Sequence, residues 1–160
     1  MKNIEALAYK ELLKTFKTIL KNNGLKFTAQ REAILRTLYD HPDHFTPENL
    51  YFLVKERYPQ LNTGITTIYR TLNLLEDNRL ATSISFGTQG KKFELGTKPH
   101  HDHLICIKCG KIVEFEDTQI EYLQNEVAKK YEFKLTDHLM QLYGLCKECQ
   151  KKTREENIGI

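Results

Sequence analysis

The chain lacks any apolar run approaching the roughly 20 residues that cross a bilayer, so no membrane partner is expected. Met1 to Leu20 lacks the pattern of a cleavable export signal. No internal repeat and no low-complexity segment interrupts the 160 residues, a length that suits one medium or two small domains. Charge of one sign is also scarce. Twenty-four Lys and Arg against 21 Asp and Glu leave +3, too little for bulk attraction to nucleic acid, so local placement must carry any such argument. Spare cysteine is absent as well, because all four fall in two matched pairs. With no export signal, those thiols are expected to be reduced in a cytoplasmic protein.

What is present concentrates between Pro99 and Gly110. Three of six histidines and two of four cysteines lie there, and these side chains bind transition metals best. Cys106 and Cys109 are answered at the same spacing by Cys146 and Cys149. Four thiolates suffice for a closed tetrahedral zinc site that holds structure; two disulfides are the weaker alternative. His100, Asp102, His101 and His103 pose a different problem. If the segment is extended, side chains alternate. His101 and His103 then face one way, His100 and Asp102 the other, so one strand can serve two metal sites. Mixed imidazole and carboxylate donors suit Fe(II), Mn(II), Co(II) or Zn(II).

Periodicity divides the rest of the chain. Ile4, Leu7, Ala8, Leu12, Phe16, Ile19 and Leu20 predict an amphipathic helix over 4–22, closed at Asn23 and Gly24. Its apolar face should dock on a core, or it could touch DNA. Thr28 caps a second helix carrying Ile34, Leu35 and Leu38. Lys26 and Arg31 flank its start, where phosphate can meet free N–H groups, although two such basic residues are more often surface. Thr46, Pro47 and Glu48 open a third helix with Leu50, Leu53 and Val54 inward. His44, just before this cap, is by itself an ordinary loop histidine.

A fourth helix runs from about Asn62 to Asn78, with Ile65, Ile68, Leu72 and Leu75 as its buried stripe. Thr66, Thr67, Tyr69, Arg70 and Asn73 lie off that stripe. Such a face suits the major groove, where arginine reads guanine edges or grips phosphate. Leu80 to Phe86, a turn over Gly87 to Gly90, and Lys91 to Leu95 predict a β-hairpin. Helices followed by a hairpin give a winged helix-turn-helix, with the fourth helix as reader. Beyond it, Lys111 to Glu116 is a predicted strand, Gln119 to Tyr131 a helix, and Phe133 to Cys146 a third strand carrying His138. The expected fold is α+β: a winged-helix domain over 1–95, a linker over 96–99, and a small α/β dimerisation domain over 100–160.

Taken together, these stretches resemble the ferric uptake regulator family of bacterial metal-responsive repressors. The resemblance rests on Gly24, Leu25, Lys26, Thr28 and Arg31; on Thr67 to Leu72; on Phe93 and Glu94; on His100 to Lys111; on Glu114 and Phe115; and on His138 with Leu142 to Gly144. It covers nearly the whole chain. It implies a homodimer on palindromic double-stranded DNA, with Tyr69 and Arg70 in the major groove and Lys26 near the minor groove. It implies structural Zn(II) on Cys106, Cys109, Cys146 and Cys149. It further implies a regulatory hinge site of His44, Glu94, His101 and His103 with Glu114, and a third site of His100, Asp102, Glu121 and His138.

Peroxide-sensing relatives favour aspartate where this chain has Glu94 and Glu114, and zinc-sensing relatives often place a cysteine in the hinge site. Fe(II) is therefore the expected regulatory ion, with Mn(II) or Zn(II) able to substitute. The chain departs from the family pattern at Thr63 to Ile68, where alanine and valine are commoner. The histidine–cysteine deaminase motif is missing, and neither an enzyme nor a small-molecule substrate is expected.

Overall fold

In the computed structural model the backbone is described for residues 2–85, 90–96 and 99–158, and side chains for 8–85, 90–96 and 99–152. The expected side chains of Ile4 and Leu7, most of the hairpin turn, and Thr97 and Lys98 of the linker lie outside the described residues. By contacts the chain divides into two compact units, 1–98 and 99–160.

The first unit is built on helices α1 (Lys2–Asn22), α2 (Ala29–Asp40), α3 (Pro47–Arg57) and α4 (Ile65–Asp77), with a single 3-10 turn at Pro59–Leu61. Gly24 follows α1 at φ +66°, a left-handed position that glycine takes without steric cost. Thr28 accepts from the N–H of Arg31, and Thr46 from that of Asn49 with Pro47 next to it. Both helix starts are thus capped as their sequences imply. Phe16 and Leu20 of α1 are fully buried among Ile34, Leu35, Leu38, Leu50, Leu72 and Leu75, so α1 docks on the core. Tyr9 adds a tilted contact with Tyr39, and Arg36 stacks over its ring. Ile65 differs from expectation: it stands 38% exposed. It opens the helix beyond the reach of the core, and Thr71 and Leu74 complete the buried stripe instead.

Strands β1 (Ala81–Ser85) and β2 (Lys91–Leu95) pair antiparallel, with Thr82 opposite Glu94 and Ser83 opposite Phe93. Phe45 and Phe93 exchange both backbone hydrogen bonds at 2.8 Å. That bridge ties the loop before α3 to the hairpin.

The second unit holds β3 (Asp102–Cys106) at the centre of a three-stranded sheet. It is flanked antiparallel by β4 (Ile112–Phe115) and parallel by β5 (Gln141–Gly144). Helices α5 (Thr118–Lys130) and α6 (Lys147–Ile158) complete it. Asp117 caps α5 by accepting from the N–H groups of Gln119 and Ile120. Two expectations need correction. The strand predicted over Phe133 to Cys146 is reduced to four residues, and His138 lies before it. The apolar alternation of Phe133, Leu135 and Leu139 serves a groove against Leu123 and Val127 of α5, a use that strand periodicity cannot distinguish. Helix α6 was not expected, because its sequence is polar all round and shows no apolar stripe.

Candidate metal centres and nucleic-acid face

The cysteines come together through two tight turns. Gly110, at φ +71°, lets the chain reverse after Cys109, with its N–H donating to the carbonyl of Cys106 at 2.9 Å. Cys146 and Cys149 are brought together by the opening turn of α6, in which the N–H of Gln150 donates to the carbonyl of Cys146. All four Sγ atoms lie within 4.8 Å of one another, and none is in a disulfide. Sγ of Cys109 and Cys146 are 3.7 Å apart. A tetrahedral ion with bonds near 2.3 Å sets its sulfurs about 3.8 Å apart, so the group fits zinc. The thiols alone are unequally acidic. Donation from the backbone N–H groups of Cys146 and Cys109 lowers Cys106 to about 6, whereas burial and then the neighbouring sulfurs push Cys149 up to about 12. Full ionisation of the four needs a cation among them.

A second group stands at the start of β3. Nε2 of His100 and Nε2 of His138 each lie 3.3 Å from Oε1 of Glu121. The same two nitrogens are 3.7 and 3.6 Å from Oδ1 of Asp102. Asp102 is 1% exposed. Both its oxygens, Oε1 of Glu121 and Nε2 of His138 are buried without a hydrogen-bond partner. Burying such atoms unsatisfied is costly; a cation held by all four removes the cost. Gln124, one turn beyond Glu121 on α5, also carries a buried, unpartnered Oε1. Sequence reading passed over it, although its i+3 spacing from Glu121 was visible.

The opposite face of β3 carries His101 and His103, whose rings are 4.8 Å apart. Glu114 stands across the ladder from His103, with Oε1 3.9 Å from Nε2 of His101. Nδ1 of His101 lies 2.9 Å from the Pro99 carbonyl. A carbonyl only accepts, so Nδ1 carries the proton and Nε2 keeps its lone pair for a ligand. In the first unit, the Phe45–Phe93 bridge sets His44 beside Glu94, with Nε2 and Oε2 3.4 Å apart and both side chains buried. Thr82 donates to the other oxygen of Glu94 at 3.2 Å.

On α4, Thr66, Tyr69 and Arg70 are exposed and Thr67 is half-buried. Tyr69 donates to Oε1 of Glu48 at 2.5 Å. That bond holds the Glu48 carboxyl below its ordinary range and the Tyr69 phenol above its own. Glu48 was read from sequence only as a first-turn acid; its orienting contact with Tyr69 depends on how α3 and α4 pack. Lys26 is exposed beside the start of α2, and Arg31 donates a guanidinium N–H to its carbonyl.

Residues 22–143 match the pattern of the Ferric uptake regulator family. The ferric uptake regulation protein of Campylobacter jejuni is 56% identical over 155 residues, covering 97% of this chain and 99% of that protein. The chain belongs to the ferric uptake regulator family. Members of this family are transcription regulators, not enzymes. The solved ferric uptake regulator of Helicobacter pylori, described as having three functional metal-binding sites, superposes with a TM-score of 0.75 at 40% identity. The match covers 88% of this chain and 93% of that one. The Campylobacter jejuni peroxide stress regulator, also of known structure, is more distant: TM-score 0.62 and 27% identity, over 87% of this chain and 97% of that one.

Proposed function

We propose that this chain is an iron-responsive repressor of metal-acquisition genes, acting in the cytoplasm as a homodimer on palindromic DNA. Residues 1–95 form its DNA-binding domain and 100–160 its dimerisation domain. Cys106, Cys109, Cys146 and Cys149 hold structural zinc. His100, Asp102, Glu121 and His138 hold a third ion. His44, Glu94, His101 and His103, with Glu114, hold the regulatory Fe(II), for which Mn(II) or Zn(II) can substitute.

One observation carries the switch. The donors on one face of β3 are completed within their own unit by Glu121 and His138. Those on the other face, His101 and His103, stand with Glu114 across the ladder, while the first unit buries a His44–Glu94 pair of matching chemistry. A metal bound by both sets fixes the orientation of one domain on the other. If that orientation sets two copies of α4 one helical repeat apart, metal and DNA stabilise the same state. Coupling of ~1–3 kcal/mol alters operator affinity about 5–150-fold.

Iron is favoured by glutamate at 94 and 114, by the absence of a fifth cysteine, and by the greater identity to the iron regulator than to the peroxide regulator of one organism. The dimer is favoured by Leu123, Val127, Tyr131 and Phe133, each more than half exposed along α5 and the segment after it. A monomer rarely leaves so contiguous an apolar strip in water.

The test is operator affinity with and without Fe(II), under anaerobic conditions and fixed salt, for wild type, His103→Ala and His100→Ala. Loss of most activation is expected in His103→Ala and a smaller loss in His100→Ala. Equal activation in wild type and His103→Ala would overturn the hinge mechanism.

A further inference from the structure

The charges on helix α1 are not scattered. At about 100° per residue, Tyr9, Leu12, Leu13, Phe16, Ile19 and Leu20 share the arc that faces the core. Lys10, Lys14, Lys17 and Lys21 fall within an arc of about 60° along one edge of what remains. All four are exposed. The other solvent edge carries Thr15, Thr18 and Asn22 with only Glu11. Solubility alone gives no reason for this asymmetry, and lysines three and four apart repel one another along the helix. None of the four is in an ion pair among the described residues. The stripe also has a direction. Nζ of Lys17 sits 4.5 Å above the ring of Phe27, so the lysine edge turns toward the Lys26–Phe27 segment that precedes α2.

We propose that this edge of α1 is a second phosphate-binding surface, which extends the DNA contact from Lys26 outward onto the duplex flanking the operator. The proposal rests on the DNA-binding reading above. A row spaced by successive turns of a helix, about 5.4 Å apart, offers a line of cations to a polyanion's backbone, and it reads charge without reading bases. Lys17 is held over Phe27 by a cation–π contact, which joins the stripe to the immediate neighbour of Lys26, the residue expected nearest the minor groove.

The probe is a duplex selected from random sequence by the wild-type protein with Mn(II), prepared with long and with short flanks. The variant replaces Lys10, Lys14, Lys17 and Lys21 by Gln, a comparable helix former, with helix content checked by circular dichroism. On the long duplex the variant should lose affinity, and its log–log salt slope should fall by about 0.9 for each lysine seated on a phosphate. On the short duplex the two proteins should converge. A third protein adds Thr15→Lys, Thr18→Lys and Asn22→Lys to the variant, returning most of the charge to the wrong edge; it should not regain the slope. The proposal falls if the quadruple variant keeps the wild-type slope, or if lysines on the other edge restore it, since bulk attraction would then suffice. Should wild type fail to select any duplex, the DNA-binding reading falls with it. Metal-dependent selection with an unchanged slope in the variant removes only the stripe.

Discussion

The two units solve the problem of stability differently. The first buries a continuous apolar set from four helices and the hairpin, including Phe16, Ile34, Leu38, Leu50, Ile68 and Leu75. In the second, the buried apolar residues among those described are Ile105, Cys106, Ala128 and Cys149, and Asp102 and His103 are buried beside them. Its larger apolar side chains on α5 face outward. One unit is held by the exclusion of water from hydrocarbon. The other buries a carboxylate, an imidazole and two thiols where an apolar core would stand, and under the proposed function its stability is tied to cations and to a second copy. For the sensor proposed above this division is useful: the reading surface would stay folded in either state, while the metal-binding unit would respond.

The largest break in this comparison should come from the thiolate group. Cys106→Ser or Cys146→Ser should abolish one tightly held zinc and unfold the second unit, while the first remains folded. Structural zinc in small domains contributes on the order of 10–16 kcal/mol of binding free energy, far more than a four-residue apolar core supplies. Mild chelation of wild type should leave this zinc in place. Zinc content with hydrogen exchange resolved along the chain would check it, and equal protection of residues 102–144 in variant and wild type would remove the contrast between the units.

A smaller effect is expected from the converse change. Leu72→Ala opens a cavity in the helical core, where Leu72 is fully buried, and should cost ~2–5 kcal/mol. The loss should appear as earlier melting of residues 8–95 with zinc content unchanged. Were zinc lost in step, the two units would be one cooperative system.

These differences also explain what the sequence disclosed. The helical core announced itself through 3.6-residue periodicity and caps at Thr28 and Thr46, because burial and local hydrogen bonding write directly into residue order. Alternation was enough to separate His100 and Asp102 from His101 and His103. The second unit was less legible wherever its residues serve groups outside the chain's own core. Phe133 to Met140 looked like a strand because its apolar residues alternate, yet they line an open groove. Helix α6 lacks an apolar stripe and left no period to detect. Glu48 owes its contact with Tyr69 to the packing of α3 on α4, which no local pattern encodes.

The smallest effect concerns the surface that the helical core supports. Tyr69 donates to Glu48 at 2.5 Å, and both residues are exposed, so the bond contributes only a small part of the stability. Glu48→Gln should lower stability by no more than that at neutral pH. Because the hydrogen bond holds the carboxyl below its ordinary value, its contribution is complete above the unfolded pKa and disappears as pH falls through the lower, folded one. The raised phenol works in the other direction: its contribution is complete below the unfolded tyrosine pKa and is lost as pH rises through the folded value. The stability gap between wild type and Glu48→Gln should therefore be flat across neutral pH and close at both ends. Tyr69→Phe should show the same plateau, and its effect on operator affinity should be smaller than the ~1–3 kcal/mol expected when Arg70→Ala removes a base contact. Thermal unfolding across the pH range decides the point, because a gap as wide in strong acid as at neutrality cannot come from this bond.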